Sequence, residues 1–241
     1  MGKILLCVLL GIIGVAAAYL LLLWISGRFV DTEKWYDTDS RYCRFLINSA
    51  AACAMVMLRL KVQLTGVEKL PEGRFLLICN HRSNLDPILT WWMMRKYDIA
   101  FISKPENFKV PIFGRLIRKC CFLPIDRENP RNAAKTLSAA VKLIKNDTVS
   151  VGVYPEGTRS MGTKLLPFHS GVIKIAQKAE VPLVIMSVAG TEQVNHNYPW
   201  RSTKIYLDIL ETIPAGNLKG RHTTDLGDYA YALMAKNLSE R

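Results

Sequence analysis

The feature that most constrains this chain is an uncharged apolar run near its beginning. The 22 residues from Ile4 to Ile25 contain no charged side chain. A helix of that length covers roughly 33 Å, about the hydrocarbon thickness of a bilayer. The run ends in Leu-Leu-Leu-Leu-Trp-Ile, without the small-residue cleavage site of a secretory signal. It predicts a retained membrane helix, although the flanking Lys3 and Arg28 are too balanced to fix its orientation.

A second apolar run, Phe45 to Leu58, lies between Arg44 and Arg59. It is short for a membrane span but suits a buried, re-entrant or interfacial helix. Together the two runs predict an N-terminal membrane-embedded helical hairpin, and a membrane-anchoring unit over residues 1–60. The alanine content of the second run equally suits an ordinary core helix of a soluble domain, and this alternative stays open.

The rest of the chain has a different pattern, in which short apolar runs alternate with Gly, Pro and Asn and with helical periodicity. This pattern predicts an α/β domain over residues 61–241, with a mostly parallel or mixed sheet of about seven strands flanked by helices. The predicted helices are Asn132–Lys145, Gly171–Lys178 and Tyr229–Leu238. The predicted strands are Val62–Leu64, Phe75–Cys79, Ile99–Ile102, Phe122–Ile125, Val149–Tyr154, Leu183–Val188 and Ile205–Ile209.

The composition narrows the possible partners. The 32 Lys and Arg residues exceed the 20 Asp and Glu residues, and the net charge of +12 favours partners that carry phosphate or other anionic groups. Zinc-finger spacing and aromatic RNA-binding boxes are absent and the basic residues are scattered, so no nucleic-acid partner is predicted. The cysteines form no C-x-x-C pair and the histidines no i, i+4 pair. Reduced, cytoplasm-facing cysteines and no metal are therefore expected.

The run Asn-His-Arg-Ser-Asn-Leu-Asp-Pro contains the first candidate for chemistry. His81 follows a predicted strand, where open α/β sheets place their ligands. Asp86 precedes Pro87, as in a helix N-cap followed by proline at the first helical position. Taken separately, each has an ordinary structural explanation. A capping carboxylate can still orient an imidazole, so we predict His81 as a base with Asp86 as both its partner and a cap.

A second polar segment, Tyr-Pro-Glu-Gly-Thr-Arg-Ser at residues 154–160, follows another predicted strand. By itself it would pass as a polar loop whose Arg159 pairs with a surface carboxylate. Lys104 and Arg127 also come just after predicted strands, so the three cations are predicted to converge on one phosphate at the sheet edge. The nucleophile elbow G-x-S-x-G, the Walker loop and the Rossmann glycine pattern are absent, which argues against those enzyme classes.

Four blocks, N-H-x-x-x-x-D, F-L-P-I-D-R, E-G-T-R-S and V-P-L-V-I, follow one another in this chain. They resemble the motif blocks of the 1-acylglycerol-3-phosphate acyltransferase family. The resemblance implies that His81 is a general base oriented by Asp86. It also implies that the acceptor phosphate binds Lys104, Arg127 and Arg159, that Glu156, Gly157 and Thr158 shape its pocket, and that Val181–Ile185 is structural. Pro124 departs from the family pattern and is expected to alter its strand.

The implied reaction transfers a fatty acyl group from acyl-CoA or acyl-carrier protein to the 2-hydroxyl of lysophosphatidic acid, giving phosphatidic acid without a cofactor. The implied location is the cell membrane, with the catalytic domain facing the cytoplasm. Two alternatives stay open. One is the same chemistry on glycerol-3-phosphate, another lysophospholipid or an amino-acid lipid. The other is a non-catalytic membrane module that binds anionic lipid.

Overall fold

The computed structural model describes residues 1–126, 128–160 and 164–241. Its first helix, α1 (Gly2–Arg28), contains the whole of the first apolar run. The most apolar 18-residue window of α1 has a mean hydropathy of 2.8, and none of it is buried by the rest of the protein. α1 is therefore long and apolar enough to cross a membrane.

A seven-stranded mixed sheet forms the centre of the protein, which confirms the predicted fold class. Its spatial order is β1-β7-β6-β2-β5-β3-β4. Neighbouring strands are parallel except for β6 and β7, which are antiparallel. Both β2 and β6 are buried along their whole length, as expected for apolar strands in the middle of a covered sheet. The strands are β1 (Leu60–Thr65), β2 (Leu76–Cys79), β3 (Ile99–Ser103), β4 (Leu123–Pro124), β5 (Ser150–Val153), β6 (Leu183–Ala189) and β7 (Thr203–Ile213).

The helices beyond α1 pack around this sheet. They are α2 (Arg41–Met57), α3 (Asp86–Met93), α4 (Phe113–Lys119), α5 (Pro130–Lys145), α6 (Lys174–Ala179), α7 (Val194–Asn197) and α8 (Thr223–Ser239). Two predicted helices lie within α5 and α8, whereas the predicted helix at 171–178 is divided between a 3-10 turn and α6. α5 begins earlier than predicted because Asn129 caps it and Pro130 fits its first turn.

The predicted strand at 122–125 is reduced to the two residues of β4, at the edge of the sheet. Pro124 lacks the amide hydrogen that a longer ladder would require. The pairing still continues by one bond, because the Ile125 amide donates to the Ser103 carbonyl over 2.9 Å. Pro124 therefore shortens the strand, as expected of an altered strand, but β4 still pairs in parallel with β3.

α2 is attached to the α/β body by a buried arginine. Arg44 donates two hydrogen bonds to the Asp39 carboxylate, at 2.8 and 2.9 Å, and a third to the Ile99 carbonyl. Its guanidinium also lies 4.2 Å from the ring centre of Trp91 in α3. One face of α2, which includes Leu46, is buried accordingly. The predicted boundary at residue 60 stays a prediction.

α1 and α2 are joined by two side-chain hydrogen bonds. Tyr19 meets Ser49 at 2.7 Å, and Ser26 meets Tyr42 at 2.9 Å. Since residue numbers rise along α1 as they fall along α2, the two helices run in opposite directions. The membrane embedding of this pair stays a prediction.

The carboxyl ends of β2, β3, β5 and β6 reach the same edge of the sheet because these strands are parallel. β7 runs the other way, so its first residue, Thr203, also lies at this edge. We call it the site edge. Open α/β sheets bind ligands at such an edge, and the predicted polar segments all follow strands that end there.

Candidate active site

His81 and Asp86 form a hydrogen-bonded pair at the site edge. His81 Nδ1 lies 2.8 Å from Asp86 Oδ2. A carboxylate can only accept, so Nδ1 carries the hydrogen, and in the neutral ring the lone pair is then on Nε2. Among the described residues, none hydrogen-bonds to Nε2. The His81 side chain is 18% exposed and that of Asp86 is fully buried, so Nε2 is the ring nitrogen that is open to a ligand.

The Asp86 carboxylate accepts hydrogen bonds from four donors. Besides His81, Oδ2 accepts from the amides of Arg82 and Ser83 at 2.6 and 2.7 Å, and Oδ1 accepts from the Thr191 hydroxyl at 2.6 Å. The prediction that Asp86 caps α3 is wrong, because the helix begins at Asp86 and its N-cap, Leu85, makes no side-chain bond. The carboxylate turns back toward residues 81–83, where it meets three donors at once.

Glu156 and Ser160 hold the backbone of His81 from both sides. Glu156 Oε1 accepts from the His81 amide at 2.7 Å, and Oε2 accepts from the Leu166 amide at 2.8 Å. The Ser160 amide donates to the His81 carbonyl at 2.8 Å. Burial raises the pKa of Glu156, and the two amide donors act in the opposite direction. The segment at residues 154–160, which contains the predicted phosphate-binding Arg159, therefore also holds the backbone of His81 in place.

The imidazole of His81 packs on an aromatic stack. Its ring centre lies 4.5 Å from that of Tyr154, which in turn stacks on Phe101 at 5.6 Å. Burial raises the pKa of Tyr154 well above its usual value, so the ring stays neutral. Phe101 lies directly over Gly152 of β5, where an added Cβ would contact its ring. The stack therefore depends on glycine at position 152.

A cavity of about 670 Å³ opens beside His81. Apolar side chains, among them Val110, Phe113 and Phe122, line much of its wall. A site with this volume and a few converging polar groups suits part of an apolar ligand with a polar end. Cys79, although close by, is buried, and burial raises its thiol pKa well above the usual value. It is therefore a poor nucleophile.

The predicted phosphate-binding residues are only partly brought together. Lys104, Gly157, Thr158 and Arg159 line the same cavity as His81, and the two cations are exposed. Neither Asp86 nor Glu156 belongs to the cavity wall. Arg127 lies outside the described residues. The described geometry thus places two cations on the wall of the cavity that His81 also lines.

Sequence patterns missed Thr191, the hydroxyl donor to Asp86. It follows β6 and is buried, with 2% exposure. Its only signal in the sequence is a hydroxyl residue shortly after a predicted strand. Tyr154 and Ser160 lay within a predicted segment, but their contacts with His81 were not predicted. Such contacts join distant parts of the chain, which periodicity cannot reveal.

Comparison with known proteins decides the family. The model of the Acyltransferase family matches residues 61–189, just over half of the chain. The chain belongs to the acyltransferase family. This acyltransferase is an enzyme by that membership, and the predicted family and enzyme class are confirmed.

Relatives of this acyltransferase carry a consistent name. A 1-acyl-sn-glycerol-3-phosphate acyltransferase of Haemophilus influenzae is 29% identical, over 70% of each chain. A chloroplastic one of Brassica napus is 32% identical over 75% of this chain and 52% of its own. The crystal structure of the 1-acyl-sn-glycerophosphate acyltransferase PlsC of Thermotoga maritima superposes with a TM-score of 0.69. It is 27% identical and covers 83% of this chain and 80% of its own.

Proposed function

We propose that this acyltransferase transfers a fatty acyl group from acyl-CoA or acyl-carrier protein to the 2-hydroxyl of lysophosphatidic acid, giving phosphatidic acid. The observation that carries the proposal is the open Nε2 of His81, oriented by Asp86, on the wall of a cavity that Lys104 and Arg159 also line. The names of the relatives support the acceptor. The proposal includes a catalytic domain on the cytoplasmic side, where both donors occur.

The proposed chemistry is direct transfer. Nε2 of His81 takes the proton of the acceptor hydroxyl while that oxygen attacks the thioester carbonyl. A carbon–oxygen bond forms, the carbon–sulfur bond breaks, and the thiolate receives the proton from the imidazolium. The buried Asp86 carboxylate stabilises the imidazolium between these steps. The mechanism uses neither a metal nor a cofactor.

The cations on the cavity wall support a proposed position for the acceptor. Lys104 and Arg159 are proposed to bind its phosphate, together with Arg127, so that the hydroxyl lies next to His81. Glu156, Gly157 and Thr158 shape this end of the site. The apolar wall near Phe113 and Phe122 then accepts hydrocarbon.

Covalent catalysis by a nearby nucleophile is disfavoured by the local geometry. The Ser160 hydroxyl donates to the His81 carbonyl at 3.2 Å, not to its ring. Burial raises the pKa of Cys79, which keeps it protonated. Neither side chain is therefore activated by His81.

The test uses purified protein in detergent, with lysophosphatidic acid and a labelled acyl-CoA or acyl-carrier protein. The wild type should form labelled phosphatidic acid, and His81→Ala should lose about 100-fold or more of the rate. His196→Ala, which changes an exposed histidine outside the cavity, is the matched control. Unchanged activity of His81→Ala would rule out the mechanism, whereas a wild type that forms no phosphatidic acid would leave the lipid-binding alternative.

The phosphate-binding assignment is tested with Arg159→Ala. Loss of a charge-assisted bond should raise KM for lysophosphatidic acid roughly 10-fold, with a smaller change in KM for the acyl donor. Glycerol-3-phosphate and a lysophospholipid with a blocked phosphate serve as comparison acceptors. Equal effects on both substrates, or faster turnover of the blocked lipid, would contradict the assignment.

A further inference from the structure

The turn after β6 holds the loop that carries His81. Gly190 has a φ of +93°, and an added Cβ would contact the Lys204 carbonyl oxygen, so this tight turn requires glycine. From β6, Val188 exchanges two hydrogen bonds with the Asn80 side chain, at 2.7 and 2.9 Å. From the turn, Glu192 meets the Arg82 guanidinium at 3.1 Å. The loop at residues 80–86 is thus attached at three places to β6 and the turn after it, the third being Thr191.

Of these three attachments, the one made by Thr191 reaches the Asp86 carboxylate itself. Its hydroxyl donates to Asp86 Oδ1 at 2.6 Å, and both side chains are buried. The other three donors to Asp86 all reach Oδ2. Within the described part of the chain, Thr191 is the donor on which Oδ1 depends. Without it, a buried charged oxygen would lose its hydrogen bond, and the carboxylate could rotate away from the imidazole.

We propose that Thr191 is a positioning residue for acyl transfer, which acts by fixing the Asp86 carboxylate against His81. The proposal rests on the proposed function, because it takes His81 as the base. Thr191 lies beyond residue 189, where the family match ends. The proposal extends the site to the turn after β6, a strand to which the sequence motifs assign only a structural role.

The pH dependence of acyl transfer should change in a definite direction when the Thr191 hydroxyl is removed. The Thr191 hydroxyl stabilises the pair when it lacks the extra proton, because it donates to the anionic oxygen. Without it, the pair holds that proton more strongly, so the acidic limb of the kcat/KM profile moves to higher pH. In the described part of the chain, the other ionisable groups around the pair are Cys79, Tyr154, Glu156 and the Arg82–Glu192 pair, with Lys104, Arg159 and His169 on the cavity wall. All of these remain in the variants below.

The experiment compares Thr191→Val with Thr191→Ser in the full chain. Valine keeps the shape and removes the hydroxyl, whereas serine keeps the hydroxyl. Thr203→Val is the matched control, because Thr203 is also buried and hydrogen-bonded but has no contact with the pair. We expect Thr191→Val to lower kcat roughly 10-fold to 100-fold with little change in KM for the acceptor. Thr191→Ser should restore most of the rate.

The outcomes separate this inference from the proposed function. If His81→Ala is inactive but Thr191→Val keeps the wild-type rate and pH profile, the inference alone fails. If His81→Ala keeps the wild-type rate, the proposed mechanism itself fails. A loss that serine does not restore, or an equal loss in Thr203→Val, means that Thr191 is only structural. Should Thr191→Val not fold, Thr191→Ala is compared with Thr191→Ser in the same way.

A second observation concerns the surface next to α2. Trp200, between β6 and β7, is 85% exposed. The Arg59 guanidinium donates to the carbonyls of Pro199 and Trp200, at 3.2 and 3.5 Å, and so ties this loop to the end of α2. There Val56 and Met57 are 78% and 69% exposed. The loop precedes Thr203, so it also belongs to the site edge.

The charge of the surface formed by Trp200 and the end of α2, and its position next to α1, indicate its partner. The segments 55–66 and 194–206 contain Arg59, Lys61, Arg201 and Lys204 but no acidic residue. Because α1 and α2 run in opposite directions, the first half of α1 extends toward this end of α2. An exposed tryptophan among basic residues, beside an apolar helix, suits the headgroup level of an anionic bilayer. We infer that the loop at residues 198–201 contacts the surface of an anionic phospholipid membrane.

The test places a fluorescent label at position 200 of the full chain in lipid nanodiscs. The exposed Cys7 and Cys53 are first replaced by serine, and Trp200→Cys is then labelled with an environment-sensitive dye. Asn146→Cys, in the exposed turn before β5 at the opposite sheet edge, is the control. Lipids with a spin label near the headgroup should quench position 200 and not position 146, more strongly in anionic than in neutral discs. Equal quenching at both positions, or quenching at 200 only by a water-soluble agent, would overturn the inference.

Discussion

At the scale of single residues, two buried carboxylates next to His81 do different work. Asp86 meets four donors and contacts the imidazole, whereas Glu156 meets two backbone amides and never reaches the ring. Burial raises the pKa of Glu156 above its usual range. In the folded chain its proton is therefore held more tightly than in the unfolded chain. This contribution favours folding at low pH and is lost as the pH rises through the raised pKa.

Glu156→Gln should reveal this pH-dependent contribution to the stability of the fold. The variant has no proton to lose, so its stability relative to the wild type should increase as the pH rises from about 4 to neutrality. The measurement is the difference in thermal unfolding midpoint between variant and wild type across that range, in one detergent. Glu72→Gln, at an exposed position, is the control and should give a nearly constant difference. A difference that falls with pH would contradict the raised pKa.

At the scale of elements, the buried Arg44 attaches α2 to the α/β body. The aromatic stack beside His81 depends on Gly152 of β5, which has no side chain to displace Phe101. Each of these two attachments depends on a single residue. The surface nearby also has a weaker pair, in which the Arg41 side chain, 79% exposed, meets Asp98 at 3.1 Å. The loss of the exposed Arg41 costs little, because the buried Asp98 keeps the guanidinium groups of Arg44 and Arg74 at 3.7 and 3.6 Å. Breaking the buried Arg44–Asp39 pair instead leaves a charge without compensation.

Arg44→Ala should therefore destabilise the protein by about 3 kcal/mol or more, because Asp39 loses two charge-assisted bonds and Trp91 loses its cationic neighbour. Arg41→Ala should cost less than about 1 kcal/mol. Chemical denaturation monitored by tryptophan fluorescence distinguishes the two. Similar losses in both variants would mean that α2 is held mainly by its apolar face.

Gly152→Ala tests the aromatic stack. The added methyl group meets the Phe101 ring, which must move into the cavity or away from Tyr154. We expect at least about a 10-fold loss of acyl-transfer rate, since a small shift of the base misaligns the reacting atoms. Gly171→Ala, where an added Cβ meets nothing within 4 Å, is the control. Full activity in Gly152→Ala would show that the stack is not needed to position His81.

At the scale of the whole molecule, an exposed apolar helix precedes a body whose site edge holds the candidate active site. α1 is not entirely free of that body, since Leu23 and Gly27 are buried and the Arg115 side chain donates to the carbonyls at the end of α1. A useful truncation therefore removes the exposed part and keeps these contacts.

Deleting residues 2–18 should release most of the protein from membranes, because the remaining apolar segment is too short to span a bilayer. The measurement is the fraction that sediments with membranes after a high-salt, alkaline wash, for the truncated and full chains. Replacing the same residues by an unrelated apolar helix is the control and should restore sedimentation. Complete sedimentation of the truncated chain would identify α2 and its surroundings as the main anchor.

The sequence by itself determined the apolar α1, the α/β class, the approximate positions of seven strands, and the residues His81, Asp86, Lys104 and Arg159. Those properties are local, since they depend on periodicity, run length and residues that follow strands. Only the tertiary structure decided that Asp86 turns away from the cap position and that Glu156 and Thr191 hold the pair. These contacts join residues 75 to 105 positions apart, and the sheet order that brings them together depends on how the elements pack, which no local pattern encodes.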